Sequence, residues 1–202
     1  MTPYMQLATD QNLLATKKAL EENGFNVLIA NSSKDAVAAI EKLIPEGSEV
    51  MDHTSKTLDD TGIRSLLHTD KYKSLHQKML TMDREKEGKR MQEIRSVNDF
   101  SIGSVHAITQ DGKIMIASGT GSQLPAYAFG AKNVILVAGT NKIVKNLDDG
   151  FNRIYNHSLP LESVRVQTAY GMPNSNVRRI LIMNSEASPR TTVLLVKENL
   201  GF

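Results

Sequence analysis

Val134-Ile135-Leu136-Val137-Ala138 is an unbroken apolar run, and Gly139-Thr140-Asn141-Lys142 follows it directly. A strand with one wet face alternates apolar and polar side chains. An uninterrupted run belongs to a strand buried on both faces, the condition of a parallel sheet covered by helices. The run is strand-length, and a helical pattern from Leu147 to His157 comes after the polar loop. Upstream the same order recurs, with Lys113-Ile114-Met115-Ile116-Ala117-Ser118 leading into Gly119-Thr120-Gly121-Ser122 and a short helix over Leu124 to Phe129. Val105-His106-Ala107-Ile108-Thr109 joins that strand through a Gln110-Asp111-Gly112 turn, a hairpin signal. Arg179 to Met183 and Thr192 to Val196 read as late strands.

The first half is richer in helix. Leu7, Leu13, Leu14, Ala19 and Leu20 have helical spacing, and Gly24 is the expected left-handed stop. Phe25 to Ala30 reads as a short strand. Ser33 is the expected N-cap of a helix presenting Ala36, Val37, Ile40, Leu43 and Ile44 on one face before Pro45 and Gly47. Glu49 to Met51 is a brief strand, His53 to Lys56 a polar loop, and Thr57 with Asp60 has capping-box spacing ahead of Leu58, Ile63, Leu66 and Leu67. Tyr72 to Arg95 reads as one long solvated helix with Leu75, Met79 and Met82 on its apolar stripe and Gly88 as a weak point. These signals predict an α/β fold: a mostly parallel sheet with helices on both faces and an added antiparallel element. No linker interrupts it. The reading is a single domain over residues 1–202, helical in 1–98 and built on Gly-rich loops in 99–202.

Composition narrows the function. The chain has 202 residues, 40% hydrophobic and 23% charged, which is globular in character. Twenty-four Lys and Arg against 22 Asp and Glu leave +2, too little for a nucleic-acid or membrane partner to be expected. The absence of cysteine excludes thiolate nucleophiles and iron–sulfur ligation by this chain. The start, Met1 to Gln6, shows no secretory pattern, so a cytoplasmic location is the expectation.

In an open α/β sheet, ligands sit beyond the carboxyl ends of the strands. Three loops suit that place: His53-Thr54-Ser55-Lys56-Thr57, Gly119-Thr120-Gly121-Ser122-Gln123 and Gly139-Thr140-Asn141-Lys142. Small residues admit a ligand to the backbone, hydroxyls donate, and a helix start favours an anion. Ser55, Lys56, Gly119, Thr120, Gly121, Ser122, Gly139, Asn141 and Lys142 are therefore the candidate binding residues, with Lys56 and Lys142 adding charge. Each loop also has a plainer reading, as a tight turn with a Ser cap or as N-capping by Ser55 or Thr57. Asp111-Gly112 is read as a structural turn.

No cofactor is called for. The glycine segment lacks the third glycine of the dinucleotide fingerprint, and Gly139-Thr140 stands where a ribose-binding acid is needed. P-loop and nucleophile-elbow patterns are absent from the sequence, as is the paired-histidine spacing of zincins, so no metal is expected. Of His53, His68, His76, His106 and His157, only His53, beside Asp52 at a strand end, reads as a candidate acid/base, on the ground that imidazole titrates near neutrality. His106 is read as a hydrogen-bonded strand residue.

Ser104-Val105-His106-Ala107-Ile108-Thr109-Gln110-Asp111-Gly112 running to Ser118-Gly119-Thr120-Gly121-Ser122-Gln123, with Phe129-Gly130-Ala131-Lys132-Asn133 and Gly139-Thr140-Asn141-Lys142-Ile143-Val144, closely resembles the LUD domain, the lactate-utilisation protein family. Arg153 and Pro160 match the Arg and Pro that follow in that family. Its upstream Gly-Gly-Ser-x-Thr-Leu motif is echoed at His53-Thr54-Ser55-Lys56-Thr57-Leu58, where His53 and Thr54 replace the two glycines. The resemblance covers most of the chain. It implies a fold like that of the ribose-5-phosphate isomerase, glucosamine-6-phosphate deaminase and CoA-transferase group (NagB/RpiA-like), and an association with bacterial oxidation of lactate to pyruvate. Residues 168–174 lack the clustered cysteines of some relatives, which puts electron transfer through this chain in doubt. The expected ligand is a small anionic metabolite: an organic acid, sugar phosphate or CoA ester. The alternatives are a non-catalytic accessory subunit that partners an iron–sulfur oxidoreductase, with Tyr72 to Arg95 facing that partner, and a structural homo-oligomer.

Overall fold

The computed structural model describes residues 3–171 and 173–202. Helix α1 (Asp10–Glu22) is capped by Thr9, whose side chain accepts from the Asn12 N–H, and it feeds β1 (Asn26–Ala30). Helix α2 (Ser33–Leu43) leads to β2 (Glu49–Asp52). Its N-cap is Ser32 rather than the expected Ser33; the Ser32 hydroxyl accepts from Asp35 N. Short helices α3 (Lys56–Asp60) and α4 (Ile63–Leu67) are separated at Gly62, and Ser55, not Thr57, caps the first. The single long helix expected over 72–95 is instead β3 (Lys73–Ser74), α5 (Leu75–Leu80) and α6 (Arg84–Ser96). Ser74 and Asp83 each cap a new start, and side-chain oxygens at both positions outcompete helix continuation.

Next come β4 (Phe100–Ser104), β5 (Ala107–Thr109) and β6 (Ile114–Ser118), then β7 (Asn133–Gly139) and β8 (Ile143–Val144). Helices α7 (Leu147–Arg153) and α8 (Leu159–Tyr170) are joined by a π-helical turn over Ile154–Ser158. Strands β9 (Arg179–Met183) and β10 (Thr191–Val196) complete the fold. Six strands form one all-parallel sheet in the order β1-β10-β7-β4-β2-β3. Strand β4 was not visible as a strand in the sequence: Phe100-Ser101-Ile102-Gly103-Ser104 is neither continuously apolar nor cleanly alternating. The antiparallel hairpin does not extend this sheet. It forms a second one, in the order β8-β5-β6-β9.

The apolar run of β7 is divided between two cores. Val134, Leu136 and Ala138 pack with Leu13 and Leu20 of α1 and with Ile108, Ile114 and Ile116 of the small sheet. Ile135 and Val137 pack on the opposite face with Ala36 and Ile40 of α2, Leu58 of α3, and Ile63 and Leu67 of α4. β10 divides likewise, Val193 and Leu195 to one side and Leu194 and Val196 to the other. The small sheet turns its other face to α7 and the π turn, where Ala107, Met115, Ala117, Val144 and Ile154 meet. Helices thus flank the parallel sheet on both faces, as expected, with the small sheet beside α1. Among the described residues, no helix is long and apolar enough to cross a membrane.

Two-sided burial makes a direct prediction. Ile135→Ala and Leu136→Ala, on opposite faces of β7, will each lower unfolding free energy by about 2–5 kcal/mol, measured by urea titration. A near-neutral result for either would show that its face is not core.

Candidate functional site

The parallel strands β2 and β4 end on the same side of the sheet. Their exits, Asp52-His53-Thr54 and Ser104-Val105-His106, line a cleft of about 980 Å³. Its other walls come from α5 and α6, the segment 116–123, the π turn with α8, and Lys142. Of the candidate residues read from sequence, His53, Ser55, Lys56, Gly119, Thr120, Ser122 and Lys142 line this cleft. Gly121, Gly139 and Asn141 do not, and for these three the expectation is corrected. Gly121 sits at φ +80° with its N–H donated to Ser118 Oγ at 2.8 Å and the Arg179 side chain against it, which makes it a turn residue. Gly139 has no room for a side chain: a Cβ would lie 2.3 Å from Asn141 Oδ1 and 2.5 Å from the Glu198 carbonyl. Asn141 is buried and accepts from Leu200 N. The turn over Thr140–Lys142 therefore sends Asn141 into the C-terminal segment and Lys142 toward the cleft.

The polar side chains in the first loop are largely engaged. Ser55 Oγ accepts from Leu58 N as the α3 cap, and Lys56 pairs with Asp60 one turn on. In the glycine loop, Thr120 and Ser122 bond to each other at 3.1 Å and stay exposed, available to a ligand.

Lys142 is the most unusual group. It is 2% exposed, and its Nζ donates to Thr57 Oγ1 (2.9 Å), Ser104 Oγ (3.1 Å) and the Val105 carbonyl (3.0 Å), all neutral oxygens. Burial, with the nearby Arg153 charge, holds the amine well below the ordinary lysine range. Arg153 is itself fully buried and donates Nη1 to the His106 carbonyl (2.7 Å) and Ser158 Oγ (3.1 Å). Its Nε and Nη2 have no partner among the described residues. Ser158 stands on the π turn, the kind of helix irregularity that often marks functional sites.

Of the three histidines that line the cleft, His53 and His106 are held neutral. His53 Nε2 lies 2.8 Å from Ser101 Oγ, its ring edge-on to Tyr127. Burial pushes it down to about 3, against the pull of Asp52, with Arg95 adding to the shift. That removes the ground on which sequence chose it as an acid/base near neutrality. His106 accepts the Ala117 N–H on Nδ1 at 3.1 Å, so its ring proton sits on Nε2. Burial, then the Lys142 and Arg153 charges, push it down to about 3.

Sequence reading missed the group around Asp52. Its buried carboxylate accepts from Arg64 and bonds His68 Nε2 (2.9 Å) and His76 Nδ1 (3.1 Å). Burial raises this carboxyl, but its bonds with His76 and His68 more than offset that and leave it lowered. His76 is raised, chiefly by the same bond. One ligand atom from each of Asp52, His68 and His76 lies within 4.8 Å of the others, a donor set that suits a divalent cation. Arg64 already holds one oxygen of the carboxylate, so in this arrangement Asp52 is an ion-pair centre tying β2 to α4 and α5. Positions 52, 68 and 76 share no helical or strand period, so no pattern could have grouped them.

Surplus positive charge is the electrostatic signature of the cleft. Glu162 is paired with Arg165, Lys56 with Asp60, and Asp52 with Arg64. Among the described residues, the lining groups Arg84, Arg95 and Arg178 have no acidic partner within ion-pair distance.

A pH dependence follows from His53 and His106. Their folded values near 3 lie below the unfolded value near 6.5, so the unfolded chain binds more protons between these limits. Stability will fall as pH drops through that window, by up to about 1.4 kcal/mol per pH unit for each histidine. His76, raised instead, contributes stability fully present below about 6.5 and lost above it, so it does not mask the slope. Urea midpoints at pH 4 to 7 will show the loss, and His53→Gln with His106→Gln will flatten it; an unchanged slope in the double variant refutes the assignment.

A family model described as the LUD domain matches residues 13–196. Among solved structures, the chain is similar to a DUF162 family protein from Deinococcus radiodurans, with TM-score 0.57 and 13% identity over 95% of this chain and 99% of that one. At that identity the likeness shows a shared fold. Similarity to eIF2B beta from Chaetomium thermophilum, TM-score 0.40 and 12% identity over 59% and 45% of the two chains, is too low to carry an argument. No curated protein matches the sequence significantly. With the motifs around Asp111, Gly119 and Asn141 inside a match that spans nearly the whole α/β fold, the chain belongs to the LUD domain family, of the lactate-utilisation type.

Proposed function

We propose that the chain binds a small anionic metabolite, an organic acid, sugar phosphate or CoA ester, in the cleft at the carboxyl ends of β2 and β4. The observation that carries this reading is the meeting of three sequence-distant loops on one cavity with unpaired cations. Ser55 and Lys56, Gly119, Thr120 and Ser122, and Lys142 share that wall with Arg84 and Arg95. An anion there would supply the charge the described residues lack, in a partly desolvated site where the interaction is worth more than in water. The neutral donors in the loops, Thr120 and Ser122 hydroxyls and the His106 Nε2–H, would orient it.

A role as an accessory subunit beside an iron–sulfur oxidoreductase is the competing proposal. Against a partner-facing helix over 72–95 stands the way this segment packs: Met79, Met91 and Ile94 bury against Met51, and Arg84, Gly88, Met91, Gln92 and Arg95 line the cleft itself.

Thermal unfolding with lactate, pyruvate, sugar phosphates and CoA esters separates the two. A ligand at a hundredfold excess over Kd adds about 2.7 kcal/mol of stability, a clear rise in Tm. Arg95→Gln is expected to weaken binding roughly tenfold to a hundredfold, as loss of a charged hydrogen bond does, and added salt will weaken it too. No shift with any member of the panel, together with co-purification of an iron–sulfur protein, favours the accessory role.

A further inference from the structure

The Lys142 amine is an expensive group to bury, and the residues around it do little to keep it charged. The charged and titratable groups facing it are Arg153 from α7, His157 from the π turn, His106 after β4, and Asp60 from α3. Only Asp60 favours an ammonium ion, and its carboxylate is taken by Lys56 and the Gly201 N–H. Arg153 opposes it. A neutral amine fits the three contacts without loss: it donates to the Val105 carbonyl and one hydroxyl, and its lone pair accepts from the other, since Thr57 and Ser104 can each donate or accept. Desolvation beside a second cation is the arrangement that turns a lysine into a nucleophile.

We propose that Lys142 is an imine-forming lysine, which condenses with the carbonyl carbon of a small 2-oxo acid seated in the cleft. This rests on the reading of the cleft as an anion site, which brings the carboxylate of such an acid to the unpaired arginines. The amine nitrogen forms a bond to the carbonyl carbon as the C=O π pair moves to oxygen. That oxygen takes the proton released by nitrogen, with the Ser104 and Thr57 hydroxyls as the relay at hand. The carbinolamine then loses its hydroxyl with a second nitrogen proton as water, leaving C=N to Lys142. No oxidant or reductant is consumed. The His106 Nε2–H, held as a donor by the Ala117 contact on Nδ1, belongs to a residue of the same cleft and would polarise the carbonyl oxygen.

Reductive trapping tests it on the full chain. Protein is incubated near pH 7 with glyoxylate or pyruvate and cyanoborohydride, then analysed by intact mass and peptide mapping. The expected product carries the mass of the acid less one oxygen on Lys142, formed at a pH where exposed lysines, with values near 10.4, are almost wholly protonated. Lys142→Met and Lys142→Arg should both lose the adduct, and circular dichroism shows whether each is folded. Mapping of the unmutated protein decides the matter if they are not. Label spread over exposed lysines and absent from Lys142 overturns the proposal. Stabilisation by these acids without an adduct overturns it while leaving the anion site standing; neither stabilisation nor adduct removes both.

Discussion

Because β7 and β10 are apolar on both faces, neither can lie against water, and most of the architecture follows from satisfying them. One face takes α2, α3 and α4; the other takes α1 and a small second sheet. A parallel sheet buried this way leaves its strand ends as the places where polar backbone and side chains can gather without disturbing a core. The cleft occupies that rim, and Lys142 arrives there three residues after β7 ends.

The rim is unusual in its charge. Globular proteins seldom bury lysine or arginine without a carboxylate, because the desolvation cost goes uncompensated. Here Lys142 and Arg153 lie in the same neighbourhood, facing neutral oxygens. The nearby histidines follow: His106 and His157 are pushed toward the neutral form, first by burial and then by the Arg153 charge. Asp52 shows the opposite solution a short distance away, with one buried carboxylate shared by Arg64, His68 and His76. On one side of the cleft the buried charge is thus paired with a carboxylate, and on the other it is not.

Loop chemistry was only partly legible. Small and hydroxylated residues after a strand marked the loops, and seven of the ten candidates do line one cavity. But composition cannot separate a residue that faces the cavity from its neighbour that faces the core. Asn141 and Lys142 are adjacent, and a single tight turn sends one into the C-terminal segment and the other to the cleft. His53 was chosen for a chemistry it has in water; burial against Tyr127 and Ser101 changes it.

The sequence by itself determined the class of fold, since hydrophobic periodicity is a local property and continuous apolar runs admit only two-sided burial. It also determined the family, through motifs carried by contiguous residues. Only the tertiary structure decided that the hairpin stands apart as a second sheet, that β4 pairs between β7 and β2, and that positions 52, 68 and 76 meet. Those outcomes depend on which surfaces pack across long sequence separations. So does the state of Lys142, whose partners Thr57 and Ser104 lie 85 and 38 residues away along the chain. An amine's charge is fixed by the dielectric and the dipoles around it, and these exist only once the chain has folded.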